Sequence, residues 1–209
     1  MSLQKHAVQI LSTYLAVLVG SLLILHFWPG EAGLWGSTAL SVGGALLAWR
    51  FNRQLRLPTA IETAGLAKAE TRVIWGVSGV AVVLIVQLLG SWLESWLFYA
   101  PAPTLTQATS ALHSVPLYAL TLVWALPLLE EYAFRRVIFG NLASVTGVFG
   151  AALISGLLFA LATDPTHWLT ATLVGIVYAY LYKQTGSVQT PLIAHIGVLA
   201  LTLGYAIWH

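Results

Sequence analysis

The sequence of 209 residues contains no cysteine, which excludes disulfides, thiol nucleophiles and cysteine-ligated metals. Charge is the next scarcity. Asp, Glu, Lys and Arg together make up 8% of the chain, where soluble domains carry about 25%. The acidic residues number 7 and Lys plus Arg 9, so the net charge of +2 gives no reason to expect a nucleic-acid partner. There is no glycine-rich phosphate loop, haem signature, nucleic-acid motif, internal repeat or low-complexity tract. No cofactor and no metal-ligand set is assigned. What fills the chain is apolar: 58% of the residues are hydrophobic. No water-soluble fold of this length needs so much apolar surface. The composition implies an all-α, polytopic helical bundle integral to a lipid bilayer.

Apolar runs cover residues 8–28, 33–49, 73–99, 116–139, 148–162, 164–182 and 191 onward. Most are long enough to cross roughly 30 Å of hydrocarbon, which predicts about seven transmembrane helices. The first could pass for a signal peptide, but Pro29-Gly30-Glu31 follows without a small-x-small cleavage site, so it is read as a retained helix. Asp164 is expected to cap the sixth helix, with Pro165 at its first position, and Pro191 to open the seventh. With the N-terminus inside, this topology puts all 9 Lys and Arg on one face, from Lys5 through Arg50, Arg53 and Arg56 to Lys183. The positive-inside rule makes that face cytoplasmic and leaves the C-terminus outside. Trp residues gather near the helix ends as an aromatic belt, and Glu94, between Trp92 and Trp96, reads as interfacial and solvated. The charged loop 50–72 is the one seam. It separates a two-helix N-terminal extension with its basic loop, 1–72, from a five-helix core, 73–209.

Against this background one stretch stands out: Leu128-Leu129-Glu130-Glu131-Tyr132-Ala133-Phe134-Arg135-Arg136. A charge near the bilayer centre costs roughly 2.5–3.5 kcal/mol on insertion scales. Glu130 and Glu131 must therefore be partnered, protonated or turned to a water-filled cavity. On a helix, Glu131 and Arg135 stand four apart with Glu on the N-terminal side, the better orientation for an ion pair. Glu130 is rotated about 100° from Glu131 and need not share that partner. His195, a few residues into the last helix, is expected at a similar depth. A carboxylate and an imidazole at one depth could activate water or hold a metal. A structural ion cluster with an inter-helix histidine fits the same residues.

The segment from about Trp124 to Ala200 resembles the CPBP family of CAAX prenyl proteases and bacteriocin-processing membrane proteins. Glu130-Glu131-x-x-x-Arg135 is similar to its first motif. Phe159-Ala160-Leu161-Ala162-Thr163 stands where its Phe-x-x-x-His motif belongs, and Pro191-Leu192-Ile193-Ala194-His195 resembles the lead into its third. Gly175 and the Tyr182-Lys183-Gln184-Thr185-Gly186-Ser187 turn also look like the family's. Two positions depart from the pattern: Thr163 replaces the second-motif His, and Leu199 replaces the third-motif Asn or Asp. His167, four residues after Thr163, could substitute, or could be a wet interfacial residue beside Trp168.

The resemblance implies a CPBP-like core in 73–209 and a multi-pass location in a bacterial inner membrane. It implies an intramembrane endopeptidase that cleaves a membrane-associated or lipid-modified peptide with a Glu-activated water. Glu130 would be the base, Glu131 and Arg135 its supporting pair, and His195 a carbonyl contact, with Phe159, Thr163 and His167 as substrate-binding or supporting residues. The alternative is a catalytically inactive relative: a scaffold, chaperone or accessory subunit with a membrane-complex partner. The resemblance also favours a fourth helix that continues past Arg135 and places the Glu pair near mid-membrane.

Overall fold

The computed structural model describes residues 2–55, 57–101 and 105–208. Arg56, expected on the cytoplasmic face, lies outside the described residues. Among the described residues the chain is helical and contains no strand. Four helical stretches among the described residues are long and apolar enough to cross a membrane: Leu3–Phe27, Ala69–Phe98, Pro116–Thr163 and Gln189–Trp208. The molecule is a polytopic helical bundle.

The chain forms two compact units, one of Met1–Leu57, Thr104–Ala133 and Leu199–His209, the other of Pro58–Pro103 and Phe134–Val198. These units cut the chain elsewhere than at residue 72. In the first, helices α1 (Leu3–Phe27) and α2 (Glu31–Gln54) form a hairpin. Its turn needs Gly30, held at φ 84°, a conformation that side-chain-bearing residues avoid. Gly44 of α2 lets Val17 of α1 press against the backbone, and Ile10, Tyr14, Val17, Ala45 and Ala48 are buried there. The polar, Ser- and Thr-rich stretch before residue 116 includes a short helix, α4 (Thr106–Ser114).

In the second unit, α3 (Ala69–Phe98) presents a small-residue face. A Cβ on Gly76 would stand 2.8 Å from Ile193, and one on Gly79 2.7 Å from Leu181. Both partners belong to later helices, α7 (Trp168–Thr185) and α8 (Gln189–Trp208). Small residues that allow close backbone approach are the usual means of holding helices together in lipid.

The helix that starts at Pro116 continues beyond residue 139, where its end was expected, up to Gly147, and a second helix follows from residue 148 to Thr163, as expected. Together they comprise α5 (Leu126–Glu130) and α6 (Gly140–Thr163) with wider, π-type turns at Leu120–Ala125 and Glu131–Phe139. Pro127 accounts for the first of these. It cannot donate to the carbonyl of residue 123 and its ring crowds that carbonyl, so the turn ahead of it opens. A break in direction comes only at Gly147, at φ 73° and ψ 169°. The helix thus continues well past Arg135, as the family resemblance favours. Helix α7 begins at Trp168, with His167 in the position before it, not at Pro165. Asp164 instead accepts the His167 backbone N–H at 3.1 Å within the turn between α6 and α7.

Candidate active site

Every residue from Pro127 to Arg135 is buried. A helix buried all round belongs to the interior rather than to a lipid-facing surface. Glu131 and Arg135 are fully buried, and Glu130 is 9% exposed. In the wide turn that begins at Glu131, residues four apart still share a face, so Glu131 and Arg135 stay on one side of the helix.

The second unit shows what receives Arg135. Its guanidinium carbon lies 4.3 Å from the Phe159 ring centroid, 5.1 Å from Tyr178 and 5.9 Å from Phe134. A desolvated cation over an aromatic face gains about 2 kcal/mol or more, which offsets part of the cost of burying the charge. One terminal N–H of Arg135 donates to the Gly175 carbonyl at 3.3 Å. Gly175 is required at this crossing: a Cβ there would stand 2.8 Å from the Gly156 Cα and 3.4 Å from Arg135 Nη2. Ser155 donates to the Phe134 carbonyl at 2.7 Å, fixing α6 against the helix that carries Arg135.

His195 joins the same group. Its ring stacks on Tyr178, with centroids 4.7 Å apart and planes at 23°, and meets Phe159 edge-on at 6.0 Å. Phe159 is therefore the hub. It touches the Arg135 guanidinium, the His195 imidazole, Tyr178 and Phe134. Sequence reasoning placed Arg135, Phe159 and His195 at one site, and these three come together. It missed Tyr178, the residue between Arg135 and His195. The signal was available: Tyr178 is three residues after Gly175, on the same face of α7.

Thr163 and His167 are placed otherwise. Thr163 is exposed, and its hydroxyl donates to the Phe159 carbonyl of its own helix at 2.8 Å. His167 is buried, not wet, and is tied to Asp164 and to the Pro101 carbonyl. Glu94 also departs from expectation. It is 1% exposed and accepts the Leu169 backbone N–H at 2.7 Å and the Thr170 hydroxyl at 2.5 Å, capping α7 from α3. Carboxylates are favoured at a helix N-terminus, where amides lack intrahelical partners and the dipole is positive. Gly90, one turn earlier on α3, makes room for Thr170.

A second polar group lies beside the first. Arg136 pairs with Glu62 of the charged loop, Nε to Oε1 at 3.0 Å. The Tyr182 hydroxyl donates to the same oxygen at 3.0 Å and meets the Thr59 hydroxyl at 2.9 Å. Among the described residues no three His, Asp or Glu side chains form a group able to hold a metal ion.

A family model described as type II CAAX prenyl endopeptidase, Rce1-like, matches residues 112–201. Two curated proteins are similar. YdiL of Bacillus subtilis, named as a candidate membrane peptidase, is 32% identical over 127 residues, 59% of this chain and 52% of that protein. The membrane-embedded CAAX protease MroQ of Staphylococcus aureus is 25% identical over 207 residues, 93% of this chain and 84% of that protein. The chain thus spans about half the length of YdiL. No solved structure matches.

Proposed function

We propose, for a chain that belongs to the CPBP family of CAAX protease-like membrane peptidases, that it is an intramembrane endopeptidase. Its substrate is a membrane-associated or lipid-modified peptide, the class suggested by the CAAX protease named among its relatives. The observation that carries this reading is the convergence of Arg135, Phe159 and His195 within the second unit; Glu130 and Glu131, five and four residues before Arg135 in sequence, are themselves buried. Glu130 takes a proton from water, and the resulting hydroxide attacks the scissile carbonyl. His195 donates to the oxyanion as it develops, and the proton passes to the departing amine. Glu131 and Arg135 fix the helix turn on which Glu130 stands. The protein resides in a bacterial inner membrane with its N-terminus in the cytoplasm.

A second reading has specific support. The position of the family's second-motif His is filled by Thr163, whose exposed hydroxyl is engaged by the Phe159 carbonyl. A threonine cannot deprotonate water near neutral pH, and this fits a scaffold or accessory subunit of a membrane complex. One substitution separates the two. Glu130→Gln is nearly isosteric and cannot accept the proton. The protease reading expects cleavage of a fluorogenic prenylated CAAX peptide by the purified protein to fall by at least about 100-fold, the usual scale of a general base. Equal cleavage by wild type and Glu130→Gln would sink Glu130 as the base, and no cleavage by the purified wild type would sink the enzyme reading.

A further inference from the structure

The turn between α6 and α7 holds a histidine with an acceptor at each ring nitrogen. His167 Nδ1 lies 3.0 Å from Asp164 Oδ2 and 3.2 Å from Oδ1, and Nε2 lies 2.8 Å from the Pro101 carbonyl oxygen. An ionised carboxylate and a carbonyl can only accept. A neutral imidazole has a single N–H, whereas both contacts need one. The geometry is satisfied by the imidazolium alone. His167 is 9% exposed, so water is a poor substitute for either partner.

We propose that His167 is a protonation-dependent latch that ties the end of α3 to the α6–α7 turn. The charged groups that face it are Asp164, on its own turn, and Glu94 of α3, whose carboxylate caps α7. Trp168 packs on Phe98 of α3 with centroids 5.9 Å apart and adds no charge. Burial alone would lower the His167 pKa, but the Pro101 carbonyl, Asp164 and Glu94 outweigh it and hold the group above the ordinary histidine value.

When the proton leaves, it leaves from Nε2. Nδ1 faces an anion and keeps its hydrogen, so the Pro101 contact becomes lone pair against lone pair. The contact that is lost is therefore the one to the segment after α3. That segment is reached through Tyr99, which is 91% exposed and sits in the left-handed region at φ 54°. A side-chain-bearing residue is disfavoured there, so the segment is held in place rather than relaxed. Releasing Pro101 lets Tyr99 return to an ordinary conformation. Because the folded-state pKa is raised, the latch contributes fully below the unfolded value of about 6.5 and is lost as pH rises through the folded value.

The test uses the full chain in lipid nanodiscs, with hydrogen exchange of residues 96–101 and thermal melting followed from about pH 5.5 to pH 8.5. In the wild type, exchange there should rise beyond the base-catalysed intrinsic rate, and the melting temperature should fall, with a midpoint above about pH 6.5. His167→Gln should abolish both dependences. Asp164→Asn removes the anion and should move the midpoint to lower pH. Constant protection of residues 96–101 in the wild type, a wild-type pH dependence in His167→Gln, or an unmoved midpoint in Asp164→Asn would each overturn the latch. Should His167→Gln fail to fold, the wild type and Asp164→Asn decide alone.

Discussion

Arg135 and Arg136 are neighbours in sequence, and their surroundings differ in kind. Arg135 is fully buried against three aromatic faces and the Gly175 carbonyl. Arg136 meets a carboxylate, Glu62, brought by the loop that follows α2. Each of the two arginines is matched to a tyrosine of α7, Tyr178 for Arg135 and Tyr182 for the Arg136 group, and these tyrosines are one helical turn apart. At the first, the tyrosine offers its ring, to Arg135 and to His195. At the second, it offers its hydroxyl, to Glu62 and Thr59. The difference teaches how a membrane helix can bury charge in two ways. A ring face stabilises a cation through its quadrupole, in addition to any charge the cation meets. A carboxylate gives a stronger contact but has to be desolvated as well.

Arg135→Ala should break the comparison most severely. It removes the cation from its ring contacts and the charged donor from the Gly175 carbonyl, and leaves a void in the buried centre. The expected loss is about 3–5 kcal/mol, the scale of breaking a buried charged contact. Urea-dependent unfolding in detergent micelles measures it, and a loss under about 1 kcal/mol would show that the ring contacts are incidental. Glu62→Ala should cost less, about 1.5–3 kcal/mol, because Glu62 and Arg136 are partly reached by solvent, at 16% and 13% side-chain exposure. Its effect should be local. Protease cleavage within residues 58–68 should accelerate while the Arg135 group keeps its stability, and equal acceleration at both places would merge the two regions into one.

The fold class could be read from the sequence because hydrocarbon imposes it: with 8% charge and long apolar runs, only helices satisfy the backbone. The grouping of Arg135, Phe159 and His195 came from the resemblance of their motifs to the family's, not from helical period. What was not legible depended on partners distant in the chain. Glu94 reads as solvated from its Trp neighbours, yet it is buried because the free N–H groups of α7 meet it there. Asp164-Pro165 has the local form of a helix start, but Asp164 bonds to His167 and the helix begins at Trp168. Residue 139 looks like a helix end, yet the chain stays helical to Gly147, where a positive φ turns it and the next helix starts at 148 as its sequence suggests. The wide turns around Pro127 and Glu131 have no signature in hydrophobic period. Local patterns report propensity, and these features are set by tertiary contacts.

Tyr182→Phe sharpens the comparison by the smallest change, one oxygen atom. The Tyr182 ring also packs edge-on against Phe139 at 6.1 Å, and Phe keeps that contact. Only the hydroxyl bonds to Glu62 and Thr59 are lost. Glu62 retains Arg136 and the Thr59 backbone N–H, so no carboxylate oxygen is left without a donor. The expected cost is therefore that of an ordinary hydrogen bond, about 0.5–1.5 kcal/mol. Combining Tyr182→Phe with Glu62→Ala should add less than the sum of the two, since both remove the same contact. A fully additive double variant would mean that the Tyr182 hydroxyl stabilises the protein without Glu62, and the picture of tyrosine as a hydroxyl donor at this turn would fail.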